Sequence, residues 1–139
     1  MVKDSLQKGL ETKCRYEIDR QRTIDFMGDE LRVYGTPWMA RDIEETCRLL
    51  TLEHLDDGED SVGARIEVDH LGASLLGSWV DVTAKVVDRD GRRITFEAEV
   101  HDPLDQVGKA RHIRFVIDKD RQKDRLLAKA TKLKETGEA

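Results

Sequence analysis

The chain has 139 residues, 38% of them charged and 38% apolar, with a formal net charge of −5. That length carries one domain with a single core. A negative balance without a basic stripe speaks against a general nucleic-acid binder.

Two cysteines, Cys14 and Cys47, stand in unrelated contexts, so neither a disulfide framework nor a cysteine zinc site is expected. The N-terminus lacks the apolar run of a leader, and no segment reaches membrane-spanning length. The expectation is a cytoplasmic protein that does not engage a membrane.

In chain order, residues 1–13 read as a mobile lead-in, 14–118 as the folded domain, and 119–139 as a charged helical tail. Cys14 to Thr23 alternates loosely and suits a first strand. Thr23 to Val33 reads as a short helix or lid, loosened by Gly28 and Gly35. Thr36-Pro37 then supplies a hydroxyl for an N-cap and a proline for the first helical position. Met39, Ile43, Cys47 and Leu50 recur at helical spacing, and Leu49 widens the stripe. The pattern predicts a long helix closing near Asp56-Asp57-Gly58.

Everything after it reads as strand. Val62, Ala64, Ile66, Val68 and His70 fall on one face of an alternating segment, followed by a connection from Gly72 to Gly77. Val80, Val82, Ala84 and Val86 form the next stripe. Asp90-Gly91 is a hairpin signal, and Ile94, Phe96, Ala98 and Val100 return from it. After Asp102-Pro103, Ile113, Phe115 and Ile117 line a last strand. The basic residues from Arg111 to Arg125 could form a local patch for a phosphorylated ligand, but they interleave with Asp118, Asp120 and Asp124, and most of the run reads as a solvated charged face. A strand, a long apolar helix and four antiparallel strands imply an α+β layer in which the sheet wraps the helix. Its edge strands need a partner, and antiparallel dimerisation would supply one.

Five residues carry candidate chemistry: Thr36, Glu44, Gly63, His70 and Arg114. They offer a hydroxyl, a carboxylate, an accessible backbone amide, an imidazole and a guanidinium, the parts of an acyl-transfer or thioester-hydrolysis site. Thr36 also suits a plain N-cap. Glu44 lies at the edge of the buried stripe, where a carboxylate serves as a base or as part of a solvated face. His70 ends an inward face and needs a partner other than Asp69, because adjacent strand residues point opposite ways. Gly63 lets a carbonyl approach the backbone or simply eases the strand's start. Arg114, opposite the Ile113–Phe115–Ile117 face, is expected at solvent or an interface. Thr36 and Glu44 are eight residues apart, ~12 Å of regular helix, so one unbroken helix cannot bring both to one small group. A neighbouring subunit that completes the site removes the conflict.

His54, His101 and His112 lack metal-ligand spacing, and neither a phosphate loop nor a dinucleotide fingerprint occurs. No metal and no cofactor are expected.

The element order is similar to the hot-dog fold of acyl-CoA thioesterases and dehydratases, and the motifs resemble the fluoroacetyl-CoA thioesterase group. Thr36-Pro-Trp-Met-Ala-Arg-Asp-Ile-Glu44 and Gly63-Ala-Arg-Ile-Glu-Val-Asp-His70 match the group's two spacings, and His112-Ile-Arg114 matches its His-x-Arg. The resemblance implies a homodimer acting on an acyl-CoA. It gives Thr36, Glu44 and His70 the role of catalytic triad, places the Gly63 backbone at the thioester carbonyl, and puts Arg114 near the coenzyme A entrance. Pro37, Arg41 and Asp42 depart from the group's pattern, so selectivity for a fluorinated acyl group is not implied. Of the aromatic lid that the group carries, Phe26, Tyr34 and Trp38 are the candidates. The expected function is hydrolysis of short acyl-CoA thioesters. Three alternatives stand beside it: a non-catalytic acyl-CoA-binding module, a hydratase or dehydratase on the same fold, and an acidic protein-interaction domain.

Overall fold

The computed structural model describes residues 2–137. Met1 of the expected lead-in and residues 138–139 of the expected tail lie outside the described residues. Seven strands and two helices follow in order. β1 (Glu11–Glu17) comes first, then a small ribbon of β2 (Thr23–Ile24) and β3 (Val33–Tyr34). Helix α1 (Thr36–Leu52) leads into β4 (Glu59–His70), β5 (Trp79–Asp90), β6 (Arg93–His101) and β7 (Gln106–Asp118), and α2 (Lys119–Thr136) ends the described chain.

The five long strands form one antiparallel sheet in the order β1-β5-β6-β7-β4. One face packs on α1. Met39, Ile43, Cys47 and Leu50 meet Val80, Val82, Val86, Phe96 and Val100, all buried, as their spacing requires. Gly108 lets the helix lie close, because a Cβ there would stand 2.6 Å from Met39 Sδ. Leu49 departs from the expected stripe and is half-exposed.

Three further differences bear on function. Before β1, Val2 and Leu6 pack into the core, and the strand begins at Glu11. The segment expected to be a short helix or lid is the β2–β3 ribbon with a 3-10 turn at Asp29–Leu31, and it leaves Ile24, Phe26, Met27 and Leu31 exposed. Helix α1 begins with Thr36 as its first helical residue, and the cap position belongs to Gly35, without a side-chain bond.

β4 also differs from a uniform alternation. Its register with β7 shifts between Gly63, opposite Arg114, and Arg65, opposite Ile113, which leaves Ala64 as the extra residue of a bulge. The parity changes there. Ile66, Val68 and His70 share the helix-facing side, whereas Val62 pairs with the outward Phe115. In the second half of β7 the buried residues are His112, Arg114 and Val116, while Phe115 is exposed, so the side assigned to Arg114 from sequence is reversed.

Candidate active site

Thr36 is free of capping duty because its hydroxyl turns toward β4. Oγ1 lies 2.7 Å from His70 Nδ1. The pair sits at the mouth of an open groove of about 400 Å³, lined also by Ile24, Phe26, Tyr34 and Leu71. Burial draws the His70 pKa below its ordinary value, and the Gly72 backbone opposes that shift. A neutral ring protonated on Nε2 leaves Nδ1 to accept the Thr36 proton.

A buried polar support lies under this pair. Asp42, fully buried, accepts two bonds from Arg22, each 2.9 Å, and one from the Tyr34 hydroxyl at 2.5 Å. Tyr34 then meets the His70 ring edge-on at 6.3 Å. Asp42 therefore anchors the β2–β3 ribbon to α1. Of the three lid candidates, Phe26 lines the groove and is exposed, Tyr34 is buried against Asp42, and Trp38 carries Arg41 over its ring at 5.7 Å.

The other three expected residues gather elsewhere. Glu44, Gly63 and Arg114 line a second cavity of about 210 Å³. The Glu44 Oε1 atom stands where a Gly63 Cβ would be, so glycine alone admits the carboxylate. Arg114 is 4% exposed, not solvent-directed, because the bulge and the β7 parity turn it inward. Its guanidinium donates to Ser61 Oγ and Ser61 O, both at 2.8 Å, and to His112 Nε2 at 3.1 Å. Burial lowers its pKa, while the Glu44 charge works the other way.

The five residues thus form two half-sites on one chain. Thr36 and His70 hold a hydroxyl and an imidazole in contact, and Glu44, Gly63 and Arg114 hold a carboxylate, a glycine backbone and a buried cation. They are ~12 Å apart along α1 and ~20 Å apart along β4. The sequence does not single out Arg22 or Ser61. It offers Tyr34 only as a lid candidate, Asp42 only as a departure from the pattern and His112 only through the His-x-Arg match, without the supporting contacts each makes. Of these contacts only that of His112 was within reach, since it alternates with Arg114 on one strand. A further groove, of about 440 Å³, lies on the outer sheet face among Glu67, Lys85, Glu97 and Arg111. Charged side chains dominate it, Arg111 pairing with Glu97 at 2.9 Å, and its one hydroxyl, Thr83, has no histidine beside it in the lining.

Among the described residues no group of histidine, cysteine and acidic side chains is placed to hold a metal. No described helix is long and apolar enough to cross a membrane.

The family model for fluoroacetyl-CoA-specific thioesterases matches residues 18–120. The chain belongs to that family. It is 34% identical over 123 residues to the fluoroacetyl-CoA thioesterase of Streptantibioticus cattleyicolor, covering 84% of this chain and 88% of that protein. A crystal structure of a point mutant of the fluoroacetyl-CoA-specific thioesterase FlK superposes with a TM-score of 0.82 at 26% identity, covering 91% of this chain and 99% of the other. A thioesterase superfamily member of Thermus thermophilus gives 0.79 at 28% identity, over 94% and 95%. The hot-dog thioesterase fold is therefore that of this chain, and the expected α+β arrangement holds. Within the family match lie both half-sites, from Thr36 to Arg114. Helix α2 lies almost wholly beyond it.

Proposed function

We propose that this thioesterase hydrolyses short acyl-CoA thioesters to the free acid and coenzyme A, with Thr36, Glu44 and His70 as its catalytic groups. The observation that carries the reading is the 2.7 Å contact between Thr36 Oγ1 and His70 Nδ1. That is the distance at which a base takes the proton of an attacking hydroxyl. Thr36 attacks the thioester carbonyl carbon and passes its proton to His70. The tetrahedral oxyanion is held by the Gly63 backbone N–H, and collapse expels the coenzyme A thiolate, which takes the proton from His70. Water activated by Glu44 then cleaves the acyl–Thr36 ester and releases the acid. Phe26 and its apolar neighbours on the ribbon line the groove in which the acyl group would lie.

The same reading requires a homodimer. β4 is an edge strand whose outer rim is unpaired, and it carries Ile66 and Val68 on the helix-facing side. Antiparallel pairing with the β4 of a second copy, centred on Glu67, sets Ile66 against Val68 of the partner subunit. The bulge at Ala64 absorbs one residue, and His70 then faces Gly63 of the partner subunit. Each complete site takes Thr36 and His70 from one chain and Glu44, Gly63 and Arg114 from the other. This arrangement answers the ~12 Å separation along α1.

Free-thiol release from a panel of short acyl-CoAs tests the reading, with Glu44→Gln and His70→Ala as variants. Turnover in the wild type, lost in both variants while they remain folded, supports it. No turnover on any thioester overturns the catalytic claim. Intact-mass detection of an acyl adduct on Thr36 tests the covalent route.

A further inference from the structure

His112 sits at the centre of the Glu44–Gly63 half-site, and the mechanism above gives it no task. It lies on the inner side of β7 and is 1% exposed. Nδ1 is 2.8 Å from the Arg65 carbonyl oxygen, which can only accept, so the ring proton resides on Nδ1. Nε2 then carries the lone pair, and the Arg114 guanidinium donates to it at 3.1 Å. Phe96 stacks on the ring at 6.4 Å and fixes its plane. Burial and the Arg114 charge both favour the neutral ring.

The partners of this assembly straddle the bulge. Arg114 holds Ser61, two residues before Gly63, through both side-chain and backbone oxygens. His112 holds the carbonyl of Arg65, two residues after Gly63. The ring and the guanidinium are thus a strap across the bulge, and Gly63 lies over it. A Cβ built on Gly63 would stand 3.2 Å from His112 Cε1 and 3.6 Å from Arg114 Nη1.

The choice of acceptor also matters. Among the described residues Arg114 has no carboxylate within 4.0 Å, and Glu44 Oε1 stands 3.9 Å from the imidazole Nε2. A neutral nitrogen orients the guanidinium without cancelling its charge. A carboxylate at this position would cancel it. The remaining positive charge stands behind Gly63, where the oxyanion of a thioester would form.

We propose that His112 is a positioning residue of the oxyanion-binding half-site, which as the Nδ1–H tautomer ties Arg65 to Arg114 and holds Gly63 and the guanidinium charge behind the thioester carbonyl. The proposal rests on the thioesterase reading for what the half-site does, but the strap itself is testable without turnover.

Long-range ¹⁵N–¹H correlation on the full chain with labelled histidine, at pH 7.5, reads the tautomer directly. A neutral His112 protonated on Nδ1 is the expected result. An Nε2–H tautomer or an imidazolium overturns the strap, whether or not any thioester is hydrolysed. Kinetics of His112→Gln and His112→Phe then test the role. Gln offers its Oε1 near the Nε2 position and retains an acceptor for Arg114, whereas Phe fills the space and offers none. The expected losses in kcat are roughly tenfold or less for Gln and about 100-fold or more for Phe, the scale of a lost oxyanion-hole group, with KM nearly unchanged. Equal losses in the two variants, or a loss carried by KM, overturn the positioning role. If His112→Phe does not fold, the tautomer and the kcat of His112→Gln decide. If the wild type hydrolyses nothing, the thioesterase reading fails separately, and the tautomer alone decides the strap.

Discussion

Thr36 opens α1 and His70 closes β4, and their side chains meet at 2.7 Å across the mouth of the groove. A threonine spent on capping would bond the backbone of its own first turn; this one bonds a histidine 34 residues away. Thr36→Ala removes the hydroxyl and leaves the helix start intact, because Gly35 holds the cap position. The expected outcome is a fall in kcat of about 10²–10⁴-fold with an unchanged melting temperature, and a much smaller fall for Thr36→Ser. Thiol release and thermal melting of the two variants check it.

The pH dependence follows from two imidazoles, half-buried His70 and buried His112. His70 is held below its ordinary pKa by burial, and in the proposed mechanism the neutral ring is the base. Activity should therefore rise with pH along an acid limb centred below about 6.5, the ordinary histidine value, and then level off. An acid limb centred above that value counts against His70. Stability should move in the same direction. His70 and His112 both have lowered folded pKa values, so the unfolded chain binds protons more readily. Their contribution is fully present above about 6.5 and is lost as pH falls toward the folded values. Urea midpoints between pH 5 and pH 8 measure this. His112→Gln should flatten the slope.

The sequence displayed the parts that follow from periodicity and concealed those that depend on register. The α1 stripe and the strands around Asp90-Gly91 follow from periods of 3.6 and 2 and stand where expected. Thr36, Glu44, Gly63 and His70 all line cavities, because their spacings place them on the helix or the inner side of β4. Arg114 was put on the wrong side. Alternation counted from Ile113, Phe115 and Ile117 took three apolar residues for the core face, yet the side facing α1 holds His112 and Arg114 paired to each other. Apolar pattern cannot reveal a polar pair that satisfies itself. The bulge at Ala64 was equally hidden, since one extra residue has no signature within Val-Gly-Ala-Arg-Ile. Asp42 read as a disturbance in the motif for the same reason: its partner Arg22 is 20 residues upstream.

Gly63 is the position with least room for change. A methyl group there would occupy the place of Glu44 Oε1 and press on the His112 ring. The carboxylate is the end of a flexible side chain, so it moves aside and the fold survives. Gly63→Ala should therefore lower kcat by about 10–1000-fold through a displaced Glu44 and a covered amide, with little effect on melting. A variant that melts normally and turns over at the wild-type rate would remove Gly63 and Glu44 from the mechanism together.

The proposed pairing of β4 makes a geometric prediction. A dimer centred on Glu67 brings the two copies of that residue face to face on the outer side of the sheet, within disulfide reach. Glu67→Cys should therefore run as a covalent dimer on a non-reducing gel after mild oxidation. The native cysteines do not confuse the result, since Cys47 is buried and Cys14 lies on the helix-facing side of β1. A dimer in solution that fails to cross-link would place the pairing in another register.

Asp42 offers the clearest separation of stability from catalysis. It is fully buried, and Arg22, on the segment leading into the ribbon, reaches it with two bonds while Tyr34 adds a third. Asp42→Asn leaves Arg22 with only the exposed Asp19 as an ionic partner. Removing one member of a buried pair in this way costs about 3 kcal/mol. Arg22→Leu alone should be comparably damaging, because it leaves a buried carboxylate bonded to Tyr34 alone. The double variant should lose clearly less than the sum of the two, since neither leaves the other's charge unmatched. Tyr34 also touches the His70 ring, so a loosened ribbon should raise KM before it lowers kcat. Urea unfolding of the three variants, with thiol release measured on each, separates these effects. Strict additivity would mean that Arg22 and Asp42 act independently and that the ribbon is held by something else.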